Sequence, residues 1–148
     1  MLGNHGPSYF ERYPPAFRRF TPACETSDLG RCDREQIVNA YDNALLYTDH
    51  VLAIAIDQLR TLPEYDSALL YVSDHGESLG ENGLYLHGMP YAIAPDEQLQ
   101  VPMVAWFSDA WRRSMALDPG CLQRQASRKF SHDNLFHTVL GLFDVSTA

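Results

Sequence analysis

The chain has 148 residues, 45% of them hydrophobic, which is enough for one ordinary domain with a buried core. Its densest apolar run, Val51–Ile56, falls far short of the roughly eighteen residues that a membrane span needs. The formal charge of -8, with no cluster of Lys and Arg, excludes nucleic acid as a natural partner, and an acidic chain that handles phosphate needs metal cations to supply the positive field.

The opening "MLGNHGPSYF" has neither a basic leader nor a long apolar core, so the expectation is a soluble chain without a signal peptide. Residues 1–33 are rich in Pro, aromatics and turn formers, and read as an extended segment running over the surface. Within it, Cys24 and Cys32 lie in the polar stretch "PACETSDLGRC", which could close as a small disulfide loop or hold two free thiols. Cys121 has no evident partner.

From Arg34 to about Leu62 the pattern changes. Ile37, Tyr41, Ala44, Leu45, Thr48, Leu52, Ala55 and Leu59 recur at steps of three and four, which predicts one face of a long helix ended by Pro63. Asn39, Asp42, Asn43 and Asp49 on that helix read as a solvated or hydrogen-bonded face, and His50 as structural. The continuous apolar run "SALLYVS", Ser67–Ser73, suits a strand buried on both faces of a parallel sheet. Gly76, Gly80, Gly83, Pro90 and Pro95 keep the next stretch irregular, and Val101–Ser108 reads as a second strand. A last helix is expected to start near Ser131–Asp133, with Leu135, Phe136, Val139, Leu140 and Phe143 on its apolar side. The fold class is therefore α/β.

The chemistry gathers after the first strand. In α/β sheets catalytic groups collect in loops that leave strand ends, and Asp74 and His75 sit at such an end. Zinc takes carboxylate oxygen and imidazole nitrogen, and Gly76 permits the sharp turn that brings neighbouring ligands to one ion. Glu77 adds a carboxylate suited to supporting a ligand or meeting a substrate amine. His87 returns after a Gly-rich excursion, and His5 in "GNHGP" is likewise in irregular chain. The plainer alternative makes Asp74 a helix cap and His75 and His87 exposed loop residues. His132 and His137 fall in or at the start of the last helix and read as capping or packed residues. No Walker loop, GxGxxG or CxxC is present, and no Ser, Thr or Cys stands beside a base as an obvious nucleophile.

Four stretches, "GNHGPSYFERYPPAFRRFTPAC", "NAYDNALLYTD", "SDHGESLGENGLYLHGMPYAIAPDEQLQVPM" and "SHDNLFHTVLGL", resemble the C-terminal part of the catalytic domain of the lipid A phosphoethanolamine transferases. These are membrane enzymes of Gram-negative bacteria within the alkaline phosphatase and sulfatase superfamily. The resemblance covers nearly the whole chain, and its second and third stretches are long enough to be specific. It implies part of an α/β/α sandwich with a mostly parallel sheet, residues 1–148 forming the C-terminal portion of the catalytic domain. The membrane region and the half bearing the nucleophile would lie outside the chain.

The resemblance further implies transfer of phosphoethanolamine from phosphatidylethanolamine to lipid A through a covalent threonine, with zinc as cofactor. Asp74 and His75 match the family's zinc pair, and His5 and His87 match histidines associated with a second zinc or with the phosphoryl group. Glu77 matches an acidic residue near the substrate, and Cys24 and Cys32 match a disulfide. Thr21, Thr26, Thr48 and Thr61 do not occupy the nucleophile's motif, so the chain alone is expected not to turn over. The parent would be a monomer on the periplasmic face of the inner membrane, attached through its missing N-terminal region.

Siblings that use the lipopolysaccharide core or a periplasmic glucan as acceptor share the metal loop. The extended "SDHGESLGENGLYLHG" with "YDNALLYTD" weighs against a sulfatase or phosphoglycerol transferase. The alternative from another class is a non-catalytic domain that binds zinc or a lipid headgroup.

Overall fold

In the computed structural model the described residues are 3–145, so the first two residues of the opening stretch and the last three of the chain lie outside them. The N-terminal segment makes only short 3-10 turns, at Tyr9–Glu11, Pro15–Phe17 and Leu29–Arg31. It is nonetheless more than a surface strap. Tyr9, Ala23 and Cys24 are buried and form a core cluster with Ile37 and Ala40 of the following helix. The apolar side chains that the sequence spaced irregularly are drawn inward one at a time, which turn chemistry does not reveal.

Helix α1 runs Arg34–Arg60. The Gln36 side chain accepts from the Asp33 N–H and so satisfies a donor at the helix entrance, while Pro63 lies just beyond its end. Its buried positions are Ile37, Ala40, Asn43, Ala44 and Thr48. The expected stripe holds in its first half, but Leu45 is 46% exposed. The polar residues on α1 serve as a docking rail for the N-terminal segment. Asn39 Nδ2 donates to the Pro22 carbonyl, and Asn43, fully buried, uses its whole amide on residues 13–20.

The Cys24–Cys32 disulfide is present, with Cα atoms 5.7 Å apart. It closes a short loop beside the core, and Cys24 is 2% exposed. Reduction is expected to destabilise the chain by roughly 2–3 kcal/mol, the loop-closure estimate for so short a loop. Urea unfolding with and without reductant measures this, and an unchanged midpoint would show that the bridge constrains nothing.

Strand β1, Ala68–Val72, is followed by the short hairpin strands β2, Ser78–Leu79, and β3, Tyr85–Leu86. The pairing is antiparallel, Ser78 opposite Leu86 and Leu79 opposite Tyr85. Gly80 and Gly83 turn this hairpin with φ of 104° and 75°, values that disfavour a side chain. Arg34 ties it to the start of α1 by donating to the Leu79 carbonyl and the Glu81 carboxylate. Burial would raise the Glu81 pKa, but backbone N–H groups and Arg34 outweigh it and hold the carboxyl below its usual value.

After the one-turn helix α2, Asp96–Leu99, strand β4 spans Met103–Phe107 and pairs with β1. Ser108 N–H donates to the Ser67 carbonyl and Ser73 N–H to the Pro102 carbonyl, so the two strands run antiparallel. The expectation for Ser67–Ser73 is corrected here. Its strand residues are half-buried rather than closed in on both faces. An apolar run of that length carries no information about the direction of its partner, which only the pairing hydrogen bonds decide.

Two further helices were not expected, α3 at Asp109–Ser114 and α4 at Pro119–Gln125. Their signals were in the sequence. Ser108 caps α3 by accepting from Trp111 N–H, and Asp118 caps α4 ahead of Pro119 at its first position. Ser131 caps the turn that leads into α5, Leu135–Leu142, where the last helix was expected. No helix among the described residues is long and apolar enough to cross a membrane.

The chain divides into two compact units. Met1–Asp57 with Tyr71–Val104 makes the unit that holds every candidate site residue, and Gln58–Leu70 with Ala105–Ala148 makes the second. In the second, Phe107 stacks on Trp111 with ring centroids 4.5 Å apart, and the Arg60 guanidinium lies over Trp106.

Candidate metal centre

Three segments of the first unit supply the site. The first is the loop carrying His5. Asn4 donates to the Tyr41 carbonyl of α1 and accepts from Thr48 Oγ1 at 3.0 Å, while Arg12 Nε donates to the His5 carbonyl. His5 is thereby held on both sides although its own ring is exposed.

The second segment is the loop leaving β1. Ser73 Oγ donates to the His75 carbonyl, and Gly76 N–H donates to the Gln98 carbonyl of α2. The need for glycine at position 76 is one of space rather than of a left-handed turn. A Cβ there would lie 2.0 Å from the Glu97 carbonyl oxygen. Gln98, 6% exposed, braces the same loop by donating to Ser78 Oγ and accepting from Met89 N–H.

The third segment is the hairpin. With Ser78 opposite Leu86, the next residues outward are Glu77 and His87. Their side chains meet, His87 Nδ1 lying 2.8 Å from Glu77 Oε2.

These segments bring His5, His75 and His87 together, with one ring nitrogen from each within 4.8 Å of the others. The His75 and His87 rings stack at 3.8 Å between centroids, and His5 stands edge-on to both, 5.7 and 4.8 Å away. In each ring Nδ1 faces an acceptor. His5 Nδ1 lies 2.7 Å from the Gly6 carbonyl, His75 Nδ1 lies 2.9 Å from the Gly76 carbonyl, and His87 Nδ1 faces the Glu77 carboxylate. A carbonyl or carboxylate oxygen only accepts, so Nδ1 carries a proton in all three, and the tautomer this selects has its lone pair on Nε2. Imidazoles whose other nitrogen donates to a carbonyl or carboxylate are the arrangement found around bound zinc, so the residues present fit that ion.

Asp74 stands at the rim of this group. Its side chain is 91% exposed, Oδ1 lies 4.0 Å from His75 Nε2, and the same oxygen accepts from the His75 N–H. Glu77 faces the other way, its side chain 5% exposed. Beyond the expected residues, Tyr9 reaches the site from the core, its hydroxyl donating to Glu77 Oε1 at 2.7 Å across 68 positions of sequence. Burial first, and then the Glu77 carboxylate, push the Tyr9 phenol far above its ordinary range, so it stays a donor. Burial followed by the same carboxylate raises Tyr41 as well. Tyr9 and Asn4 went unnoticed in the sequence because their partners are distant in it. Gln98 carried no signal at all. The remaining histidines lie elsewhere, with His50 packed on Phe17, His132 in the turn before α5, and His137 against Phe136.

Residues 1–145 match the protein family described as Sulfatase. Over an alignment of 148 residues the chain is 53% identical to the phosphoethanolamine transferase EptA of Escherichia coli strain K12, covering 99% of this chain and 27% of that protein. The chain thus spans about a quarter of the length of the curated relatives it matches. Among solved structures it resembles the soluble domain of lipooligosaccharide phosphoethanolamine transferase A from Neisseria meningitidis. The TM-score is 0.94 at 50% identity, over 97% of this chain and 43% of that one. It also resembles the C-terminal periplasmic domain of EcEptC from Escherichia coli in complex with Zn, with TM-score 0.76 and 27% identity over 95% of this chain and 38% of that one.

Proposed function

The chain belongs to the sulfatase family, an α/β fold, and from that premise we propose that it is the C-terminal portion of the catalytic domain of a zinc-dependent phosphoethanolamine transferase. Phosphatidylethanolamine is the donor and lipid A the acceptor, and the longer protein works at the periplasmic face of the inner membrane. The observation that carries this reading is the group of three imidazoles with every Nδ1 already committed to an acceptor. The names of the similar proteins, and the zinc in one similar structure, support the reaction class and the ion. The disulfide supports an oxidising compartment.

In this reading His5, His75 and His87 hold zinc, and the exposed Asp74 carboxylate beside His75 supplies a further oxygen donor. Zinc provides Lewis acidity and a positive field for phosphoryl oxygens in a chain whose own charge is -8. The chain's residues bring one nitrogen of each ring within 4.8 Å of the others, and the exposed His5 leaves the centre open to solvent and substrate. In this reading the group is carried by a covalent threonine that none of Thr21, Thr26, Thr48 and Thr61 supplies, and the chain alone does not turn over.

The test is zinc titration of the metal-stripped chain. One ion is expected to bind. His75→Ala and His87→Ala should each lower affinity by at least the roughly 10–100-fold that loss of a mere supporting partner costs, and Asp74→Ala should also weaken it. Wild-type chain that binds no zinc, or histidine variants that bind it unchanged, would overturn the metal centre.

A further inference from the structure

Glu77 is nearly closed to solvent, and among the described residues its ion-pair partner is His87 rather than an Arg or Lys. Burying a carboxylate is costly unless its oxygens are hydrogen-bonded, and here one oxygen accepts from Tyr9 Oη and the other from His87 Nδ1. Tyr9 is itself fixed. It is 1% exposed, it belongs to the main core cluster, and its ring stands edge-on to Tyr41 with centroids 5.6 Å apart. Gly6 closes the same space from above, since a Cβ there would come within 2.6 Å of both Glu77 Oε1 and the Tyr9 hydroxyl.

The orientation of Glu77 is therefore set from the core side. His5 and His75 tie Nδ1 to the carbonyl of the next residue, which needs nothing beyond local backbone. His87 differs, because its Nδ1 partner is a side chain that must itself be held.

We infer that Tyr9 is a positioning residue of the metal centre, holding His87 through Glu77 with its proton on Nδ1 and its lone pair on Nε2. This rests on the zinc reading above. Glu77 orients a ligand here instead of meeting a substrate amine, and two hydrogen bonds in series link the buried Tyr9 to His87. Without the carboxylate the His87 proton is free to sit on Nε2, where it blocks the lone pair.

Two readouts test the link. The first is zinc affinity of the metal-stripped chain, by competition with a chromophoric chelator. The second is the proton–nitrogen spectrum of the histidine rings in the metal-free chain, which reports tautomers without any zinc. Tyr9→Phe keeps the ring in the core and removes only the hydroxyl, Glu77→Ala removes the acceptor, and Glu77→Gln restores an accepting oxygen.

Glu77→Ala is expected to lose the Nδ1–H preference of His87 and to weaken zinc by roughly 10–100-fold, with Glu77→Gln recovering part of both. Tyr9→Phe is expected to shift the His87 nitrogens in the same direction and to weaken zinc by about three- to ten-fold. His5 and His75 should keep their tautomers in every variant, which a general loosening of structure would not allow. A folded Tyr9→Phe chain with unchanged His87 nitrogens overturns the inference, as does Glu77→Ala with unchanged nitrogens. If wild-type chain binds no zinc while His87 still responds to both changes, the positioning link stands and the zinc reading fails.

Discussion

Gly76→Ala is expected to destabilise the chain by about 3 kcal/mol and to weaken zinc binding by roughly ten-fold or more. The added Cβ would lie 2.0 Å from the Glu97 carbonyl oxygen and 3.0 Å from its carbon. Both atoms are backbone, so no side-chain rotation relieves the overlap. Moving α2 away breaks the Gly76 N–H to Gln98 carbonyl bond and carries off the Gln98 side chain, which braces Ser78 and Met89. Moving the loop instead displaces His75 and Glu77 on either side of the substitution. Chemical unfolding reads the first effect and zinc titration the second. Retention of both values would mean that the loop and α2 are not packed as described.

Asn43→Ala is expected to cost about 2–4 kcal/mol, since a polar group left without its partner costs about 1–3 kcal/mol and several lose theirs together. Asn43 Oδ1 accepts from the N–H groups of Arg19 and Phe20, both at 2.8 Å, and its Nδ2 donates to the Phe20 carbonyl and to Tyr13 Oη. Ala removes all four bonds and leaves a cavity at a position with no exposure. The segment around residues 13–20 should open to protease before the rest of the chain. Asn43→Asp keeps the two accepting contacts and should fall between Ala and wild type. If Ala proves neutral in urea unfolding, water replaces the amide and the rail carries no energy.

Asn43 also illustrates what a pattern can conceal. It reads in sequence as part of a solvated or hydrogen-bonded face, yet it lies on the inner face of α1 among Ile37, Ala40, Ala44 and Thr48. Its reason is not readable, because the groups it satisfies belong to a loop more than twenty positions away. The same holds for Tyr9 and Glu77, whose hydrogen bond spans 68 positions. Helices α3 and α4 are a different matter: Ser108, Asp118 and Pro119 announced them locally.

Periodicity, capping and turn residues were enough for α1, for both longer strands and for the start of the last helix, because each depends on neighbours within a few positions. The position of Asp74 and His75 at a strand end, with the wider resemblance, singled out the histidines and the disulfide before any coordinates. Three things awaited the folded chain: the antiparallel pairing of β1 with β4, the burial of the N-terminal segment, and the Tyr9–Glu77–His87 chain. Each is a contact between segments that the sequence keeps apart. Local propensity acts over a few residues, whereas these contacts exist only once the core has closed and Glu77, shut away from water, must find its partners inside the protein.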